Sequence, residues 1–393
     1  MMDSKEKGKV LLLYTLLFLC TFVLAYSPFL REGKSFIWSA YDGWSQHYPA
    51  LVYIGRYLRN FALNFLHGEW TIPLFDLNLS MGADVIATLN YYGFGNPLYL
   101  LSAIVPTHYT EYLYSFLIVV RLYLAGIAFL AFCSYYKKPY THAFIGSLVY
   151  VFSGYAVFSA VRHPYFIEPM IQLPLLLIGI DLIIKRKKPF VFIAVVFYSA
   201  LCGFYFLYMM TIMAGVYALI RFFDVYKEKR LKEFAAMAKR IMGTYLLGIG
   251  LGAPIFIPAV IGYLTSARAE MTVKRNYLFY GFNYYFNNFL DMIAPPGSWD
   301  AFSLAAIVWM SLVILLFLSP KKHRNLKWLL AIGGVFYLIP LGGHIMNGFG
   351  YPSQRWTFGL TLLLSYILVE MLPVLLTLDR KQQLVCFSSF LFY

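Results

Sequence analysis

The run VLLLYTLLFLCTFVLAYSP, residues 10–28, follows the charged lead MMDSKEKGK and decides what kind of protein this is. It is uninterrupted by charge and long enough to cross roughly 30 Å of hydrocarbon. No small-x-small cleavage site closes it, and many apolar runs follow, so it reads as a first membrane span rather than a removable leader. Outward from it, further spans read as 111–136, 141–161, 165–184, 189–203, 205–223, 241–264, 301–318, 328–341 and 356–374. The stretch 189–223 is too long for one crossing, and Cys202-Gly203 near its centre marks a tight turn between two short spans. Composition agrees: 61% of the 393 residues are hydrophobic and 13% charged, where soluble domains carry about 25% charged. The expected architecture is an all-α polytopic membrane protein, one domain over residues 1–393, with about ten to eleven transmembrane spans.

Charge orients it. Alternating the spans from an inside N-terminus gathers Lys5, Lys7 and Lys9, then Lys137-Lys138, Lys185–Lys188, the 224–240 loop, Lys321–Lys327 and Arg380-Lys381 on one side. With Arg221 just ahead of the 224–240 loop, that side holds 22 of the 32 Lys and Arg, and the other side holds nine over much more chain. This is the positive-inside pattern, which makes the N-terminus cytoplasmic in a multi-pass cell-membrane protein. The net charge of +14 therefore reports topology, and nucleic acid is excluded as a partner. Cys20, Cys133, Cys202 and Cys386 fall in or beside apolar runs without paired spacing, as small buried hydrophobes do.

The polar mass lies outside. The first extracytoplasmic loop, 30–110, and a second, 265–300, are far longer than a structural connection needs. Within the first, residues 47–66 place Leu51, Ile54, Leu58, Phe61 and Phe65 at helical spacing opposite Arg56, Arg59, Asn60 and Asn64. The pattern fits a helix lying in the membrane interface, or a packed helix of a small outer lobe. The run 96–106, bounded by Pro97 and Pro106, is too short to span and reads as re-entrant or interfacial.

The candidate chemistry clusters in these loops. Just past the first span lies Trp38-Ser-Ala-Tyr-Asp-Gly-Trp-Ser-Gln-His-Tyr-Pro49. Two readings fit Asp42: a partly desolvated general base reachable by a hydroxyl substrate, or the cap of the following helix. Downstream, Asp84, Tyr91 and Tyr92 sit in a glycine-rich stretch whose tyrosines offer flat faces with polar tips, suited to sugars. Arg162, His163 and Glu168 share the short loop Val161–Glu168, and Arg355 stands at the outer end of a late span. Two readings fit the arginines: a grip on a phosphate, which a guanidinium holds with paired hydrogen bonds, or plain anchoring among lipid headgroups. Glu168 is a second carboxylate, orienting an acceptor or holding a divalent cation with Asp42 or Asp84; the metal ligands themselves are unassigned. His47, His108 and His344 have no ligand spacing. Asp291 and the turn Ala294-Pro-Pro-Gly297 fit a lid or a plain surface loop, and intramembrane Arg121 is expected to pair with a carboxylate of a neighbouring helix.

In this order along the chain, Asp42-x-x-x-Gln46-x-x-Pro49, Gly82 through Tyr91-Tyr92 to Asn96-Pro97, Gly203-Phe-Tyr-Phe-Leu-Tyr208 and Tyr351-Pro-x-Gln-Arg-Trp356 resemble the YfhO family of bacterial membrane proteins, within the GT-C superfamily of glycosyltransferases. The resemblance implies a GT-C-like helical bundle that transfers a sugar from a polyprenyl-phosphate carrier to an acceptor outside the membrane, a teichoic-acid-type cell-envelope polymer. It implies an acidic residue of the first outer loop as the hallmark, matched here by Asp42. Asp42, Asp84 and Glu168 are then the catalytic candidates, and Gln46, Tyr91, Tyr92, Arg162, His163 and Arg355 the substrate-binding ones. The partners implied are the lipid-linked sugar, the polymer acceptor and membrane lipids. No P-loop or dinucleotide fingerprint is present, and a divalent cation is the only cofactor the residues suggest. Family members run longer, and the chain stops at Ser-Ser-Phe-Leu-Phe-Tyr within another apolar run, so a C-terminally truncated chain is expected. A lipid-linked-saccharide transporter or a non-catalytic assembly subunit is the rival. A transporter calls for ionisable groups near the membrane midplane, often in repeated halves.

Overall fold

The computed structural model describes residues 4–38, 42–228, 230–266, 276–291, 303–381, 384 and 388. The turn at 294–297, much of the 265–300 loop and Cys386 lie outside the described residues.

Apolar runs become helices because lipid offers backbone groups no partner, so each run must bond within itself. Among the described residues six helices are long and apolar enough to cross a membrane: Gly8–Arg31, Thr107–Tyr135, Pro164–Ile184, Phe204–Val225, Arg230–Leu264 and Arg355–Leu375. Two bent pairs bring the number to eight. The expected span 141–161 is broken into Tyr140–Val151 and Gly154–Arg162, set 46° apart, where Ser153 leaves the helix and its hydroxyl caps Ala156 N–H at 3.3 Å. The expected span 328–341 divides into Arg324–Leu338 and Pro340–Met346 at 97°, since Pro340 cannot donate to the preceding turn. The remaining two expected spans form helices Phe190–Cys202 and Ala306–Phe317, of 13 and 12 residues, each about 20 Å long and short of the hydrocarbon thickness. Among the described residues, six to eight segments are thus long and apolar enough to cross, with two shorter apolar helices beside them, against the ten to eleven spans expected. Sequence hydropathy finds apolar segments but not whether each runs the full depth.

The turn foreseen at Cys202-Gly203 is present. Gly203 adopts φ +142°, a region that side chains with Cβ avoid. Helix Arg230–Leu264 lies along Phe190–Cys202, and Thr110–Tyr135 packs on Glu168–Ile184 and Tyr140–Val151. Ala306–Phe317 lies on Phe358–Leu375. Cys20, Cys133 and Cys202 are free thiols.

The first loop is folded, not loose. Helix Tyr48–Leu66 buries Ala50, Leu51, Ile54 and Gly55 against Leu101–Ile104, while its second half exposes Leu63, Phe65 and Leu66. The packed-helix reading therefore holds over the first half of the apolar stripe, and the second half leaves its apolar residues uncovered. Arg59 clamps the short partner helix, donating to Ser102 O at 2.7 Å, Val105 O at 2.8 Å and Thr107 Oγ1 at 2.8 Å. A two-stranded hairpin pairs Phe75–Asp76 with Ala83–Asp84 and is pinned by Tyr53, whose hydroxyl donates to Asp76 at 2.5 Å.

This lobe is locked to the bundle at two places. A Cβ on Gly95 would overlap the Leu201 carbonyl. Gly95→Ala is expected to cost about 1–3 kcal/mol by overpacking, read as a lower unfolding temperature in detergent, and an unchanged temperature would contradict the close approach. The second lock is a buried ion pair. Arg121 Nε meets Glu168 Oε1 at 2.7 Å, with side chains 1% and 3% exposed, and Arg121 lies 4.9 Å from the Tyr99 ring. Asn96 Nδ2 donates to Glu168 Oε1 and Tyr198 OH to Glu168 Oε2, each at 2.5 Å. Arg121 thus has the carboxylate partner that lipid burial demands. At the opposite ends of the same helices, Asp181 receives Lys185 at 2.5 Å, Arg221 at 2.8 Å and the Tyr135 hydroxyl at 2.7 Å.

Candidate functional site

At the end of the bundle under the first lobe, Trp44 N–H donates to Trp38 O at 3.0 Å. Only a glycine fits at position 43, because a Cβ there would strike the Trp38 backbone. A single π-helical stretch, Gly43–His47, follows before helix Tyr48–Leu66. Winding in this way puts Asp42, Gln46 and His47 on one side. Gln46 Nε2 donates to Asp42 Oδ1 at 2.5 Å, and Tyr92 OH donates to Gln46 Oε1 at 2.7 Å.

The break after Gly154–Arg162 brings in the second half. His163 Nδ1 lies 2.7 Å from His47 Nε2, and His163 Nε2 lies 3.5 Å from Asp42 Oδ2. A carboxylate only accepts, so the consistent arrangement has His163 protonated on Nε2, facing Asp42, and His47 Nε2 donating to His163 Nδ1. Tyr165 OH stands 3.3 Å from the same Nδ1. Asp42, His47 and His163 each bring one ligand-type atom within 4.8 Å of the others.

Burial falls on the histidines rather than on the carboxylate. The Asp42 side chain is 39% exposed, whereas His47 is 5% exposed. Burial pushes His47 down to about 4, against the opposing pull of Asp42. Burial, followed by the charges of His47, Arg355 and Arg162, pushes His163 down to about 3. Both rings are neutral near pH 7.

The arginines border this group. The Arg162 guanidinium stacks 3.6 Å from the Phe158 ring centre and 4.4 Å from that of Trp38. Arg355 lies 5.4 Å from Phe166, whose ring in turn stacks on His163 at 4.9 Å. Next to it, Gln354 Nε2 donates to the hydroxyls of Tyr280 at 2.9 Å and Tyr284 at 2.7 Å, tying the second long loop to this end. A cavity of about 530 Å³, lined at one end by Met346 and Trp356, runs between helices Phe204–Val225, Arg324–Leu338 and Phe358–Leu375. Its middle is apolar, with Leu173, Leu329 and Leu363, and its far end meets Arg221, Lys321 and Glu370.

Of the residues the sequence singles out, Asp42, Gln46, Tyr92, Arg162, His163 and Arg355 are brought together. Tyr91 shares the short turn Asn90–Tyr92. Two carboxylates are not where expected. Asp84 is an exposed helix cap, its Oδ1 accepting Ala87 N–H at 2.7 Å. Glu168 is consumed by Arg121, Asn96 and Tyr198 inside the bundle, so neither joins Asp42 around an ion. The capping alternative for Asp42 also fails, since its side chain caps no helix N–H. His47 is the residue that spacing overlooks. Its partner is 116 positions away, and the only local signal is its place one residue after Gln46 in a turn starting at Asp42.

The family model described as "Bacterial membrane protein YfhO" matches residues 12–392. A curated relative, "Uncharacterized protein YfhO" of Bacillus subtilis (strain 168), is 24% identical over 336 residues. That match covers 81% of this chain, which spans 37% of the relative's length. No solved structure matches.

Proposed function

We propose that this chain, which belongs to the YfhO family of bacterial membrane proteins, is the core of a membrane glycosyltransferase. It moves a sugar from a polyprenyl-phosphate carrier to a hydroxyl of a teichoic-acid-type envelope polymer on the extracytoplasmic side. The observation that carries this reading is the convergence of one reachable carboxylate, Asp42, with Gln46, Tyr92 and His163 beside Arg162 and Arg355 at one end of an apolar bundle.

In this reading the acceptor hydroxyl gives its proton to Asp42 as its oxygen attacks the anomeric carbon. The carbon–oxygen bond to the carrier phosphate breaks, and the electron pair leaves with the phosphate. Gln46 holds Asp42 Oδ1 in place, and Tyr92 holds Gln46. Arg355 and Arg162 stabilise the charge that gathers on the departing phosphate, where fixed cations act most strongly. The apolar cavity lined by Trp356, the residue after Arg355 in the chain, is the space within the bundle for the prenyl chain.

The test is binding of a polyprenyl phosphate to the purified chain. Arg355→Ala is expected to weaken it about 10- to 100-fold, the loss of one charge-assisted contact at about 1.5–3 kcal/mol. Binding that survives in a folded Arg355→Ala protein removes Arg355 from the mechanism. A transporter of lipid-linked saccharide is the second reading, favoured by the same cavity reaching the cationic far end at Arg221 and Lys321. Flux of intact donor across vesicles, without sugar transfer, would select it.

A further inference from the structure

We propose that Asp42, His47 and His163 form a divalent metal site, taking a zinc- or manganese-type ion on one carboxylate oxygen and two imidazole nitrogens. The inference deepens the transferase reading by giving its site a cation, but binding of the ion rests on geometry alone. Three ligand atoms from two distant parts of the chain converge within 4.8 Å. Two imidazoles and a carboxylate are a borderline nitrogen–oxygen set, suited to first-row divalent ions and leaving coordination positions open.

The rings are held for this task. His47 is fixed on the Gly43–His47 turn between the rings of Tyr92 and Tyr165, with centroids 5.6 and 5.2 Å away. His163 lies flat on Phe166 at an interplanar angle of 20°. Ligands set by packing rather than by mobile loops are what a specific metal site needs. The two nitrogens now share a proton at 2.7 Å. On one ion with bonds of about 2.0–2.1 Å they would stand roughly 3.0–3.4 Å apart. The rings therefore part by only a few tenths of an ångström as the ion replaces the proton, and the half-exposed Asp42 carboxylate, now 3.5 Å from His163 Nε2, swings in to complete the set.

The surroundings say what the ion would take in its open positions. Arg162 and Arg355 already add positive charge beside His163. A divalent ion there leaves the single Asp42 carboxylate far outweighed, and a multiply charged phosphate restores balance. The ion's ligand is thus the phosphate of the lipid carrier. Asp42 stays usable as a base, because Oδ1 accepts one bond from Gln46 and keeps a second lone pair.

The experiment titrates Co²⁺ into the full chain, purified in detergent and stripped with chelator. One ion per chain is expected, with the visible absorption of nitrogen–oxygen-ligated cobalt and imidazole nitrogen couplings in pulsed EPR, displaced by Zn²⁺. His47→Gln and His163→Gln should each weaken uptake about tenfold or more, while His108→Gln, at an exposed histidine, should not. If the histidine variants elute poorly, the imidazole couplings of the wild-type protein still decide. Wild-type protein that takes up no Co²⁺, Zn²⁺ or Mn²⁺ overturns the site. In that case sugar transfer retained under chelation leaves the transferase reading standing, with the His47–His163 pair serving as a hydrogen-bonded support.

Discussion

Asp42→Asn is expected to lower sugar transfer about 10²- to 10⁴-fold at unchanged protein abundance, the range that loss of a positioned base costs. The substitution keeps size and leaves Gln46 and His163 able to bond, so the fold has no reason to change. What disappears is the acceptor of the hydroxyl proton. The assay follows sugar on the surface polymer in cells, with abundance checked by blot and donor binding measured on purified protein. Arg162 and Arg355 remain to bind the donor, so any fall in donor binding is expected to be small beside the loss of transfer and to report the ion that Asp42 helps hold. Unchanged sugar content at equal abundance would remove Asp42 from the mechanism, and with it the main support for a transferase.

The second large effect is on stability. Glu168→Ala leaves the Arg121 guanidinium, 1% exposed, without its carboxylate. Breaking a buried pair in this way costs about 3–5 kcal/mol, a large share of the roughly 5–15 kcal/mol by which proteins are stable. Low membrane abundance and an unfolding temperature several degrees down are expected. The double variant Arg121→Met/Glu168→Leu should recover part of the loss, since an apolar pair of similar volume often replaces a buried ion pair without cost, while Asn96 and Tyr198 lose their acceptor. The double variant also separates two roles for Glu168. Transfer that returns with stability makes the residue structural. A stable but inactive double variant restores it to the catalytic set, against the hydrogen bonding seen here.

Much of this molecule is readable from its chain. Helical segments follow from apolar runs, because hydrocarbon forces each backbone to satisfy itself. The helix over 48–66, the turn at Gly203 and the partnering of Arg121 follow from periodicity, a glycine and the cost of lone charge in lipid. Span length was less legible. Ser153 and Pro340 break two segments by local hydrogen-bond chemistry that hydropathy averages away.

Which carboxylate faces the site is a different kind of question. Asp42, Asp84 and Glu168 look alike in sequence, each a lone acid in an aromatic loop. Tertiary contacts part them: Asp84 is taken by a backbone N–H, Glu168 by Arg121, and Asp42 alone is left reachable beside two histidines. His47 enters the site for the same reason, through a partner more than a hundred residues away. Membrane residence and helical class were determined by the sequence itself, since they arise from solvent acting on each segment separately. The partners of the acids and histidines were decided only by the tertiary structure, because they depend on which distant groups reach each side chain first.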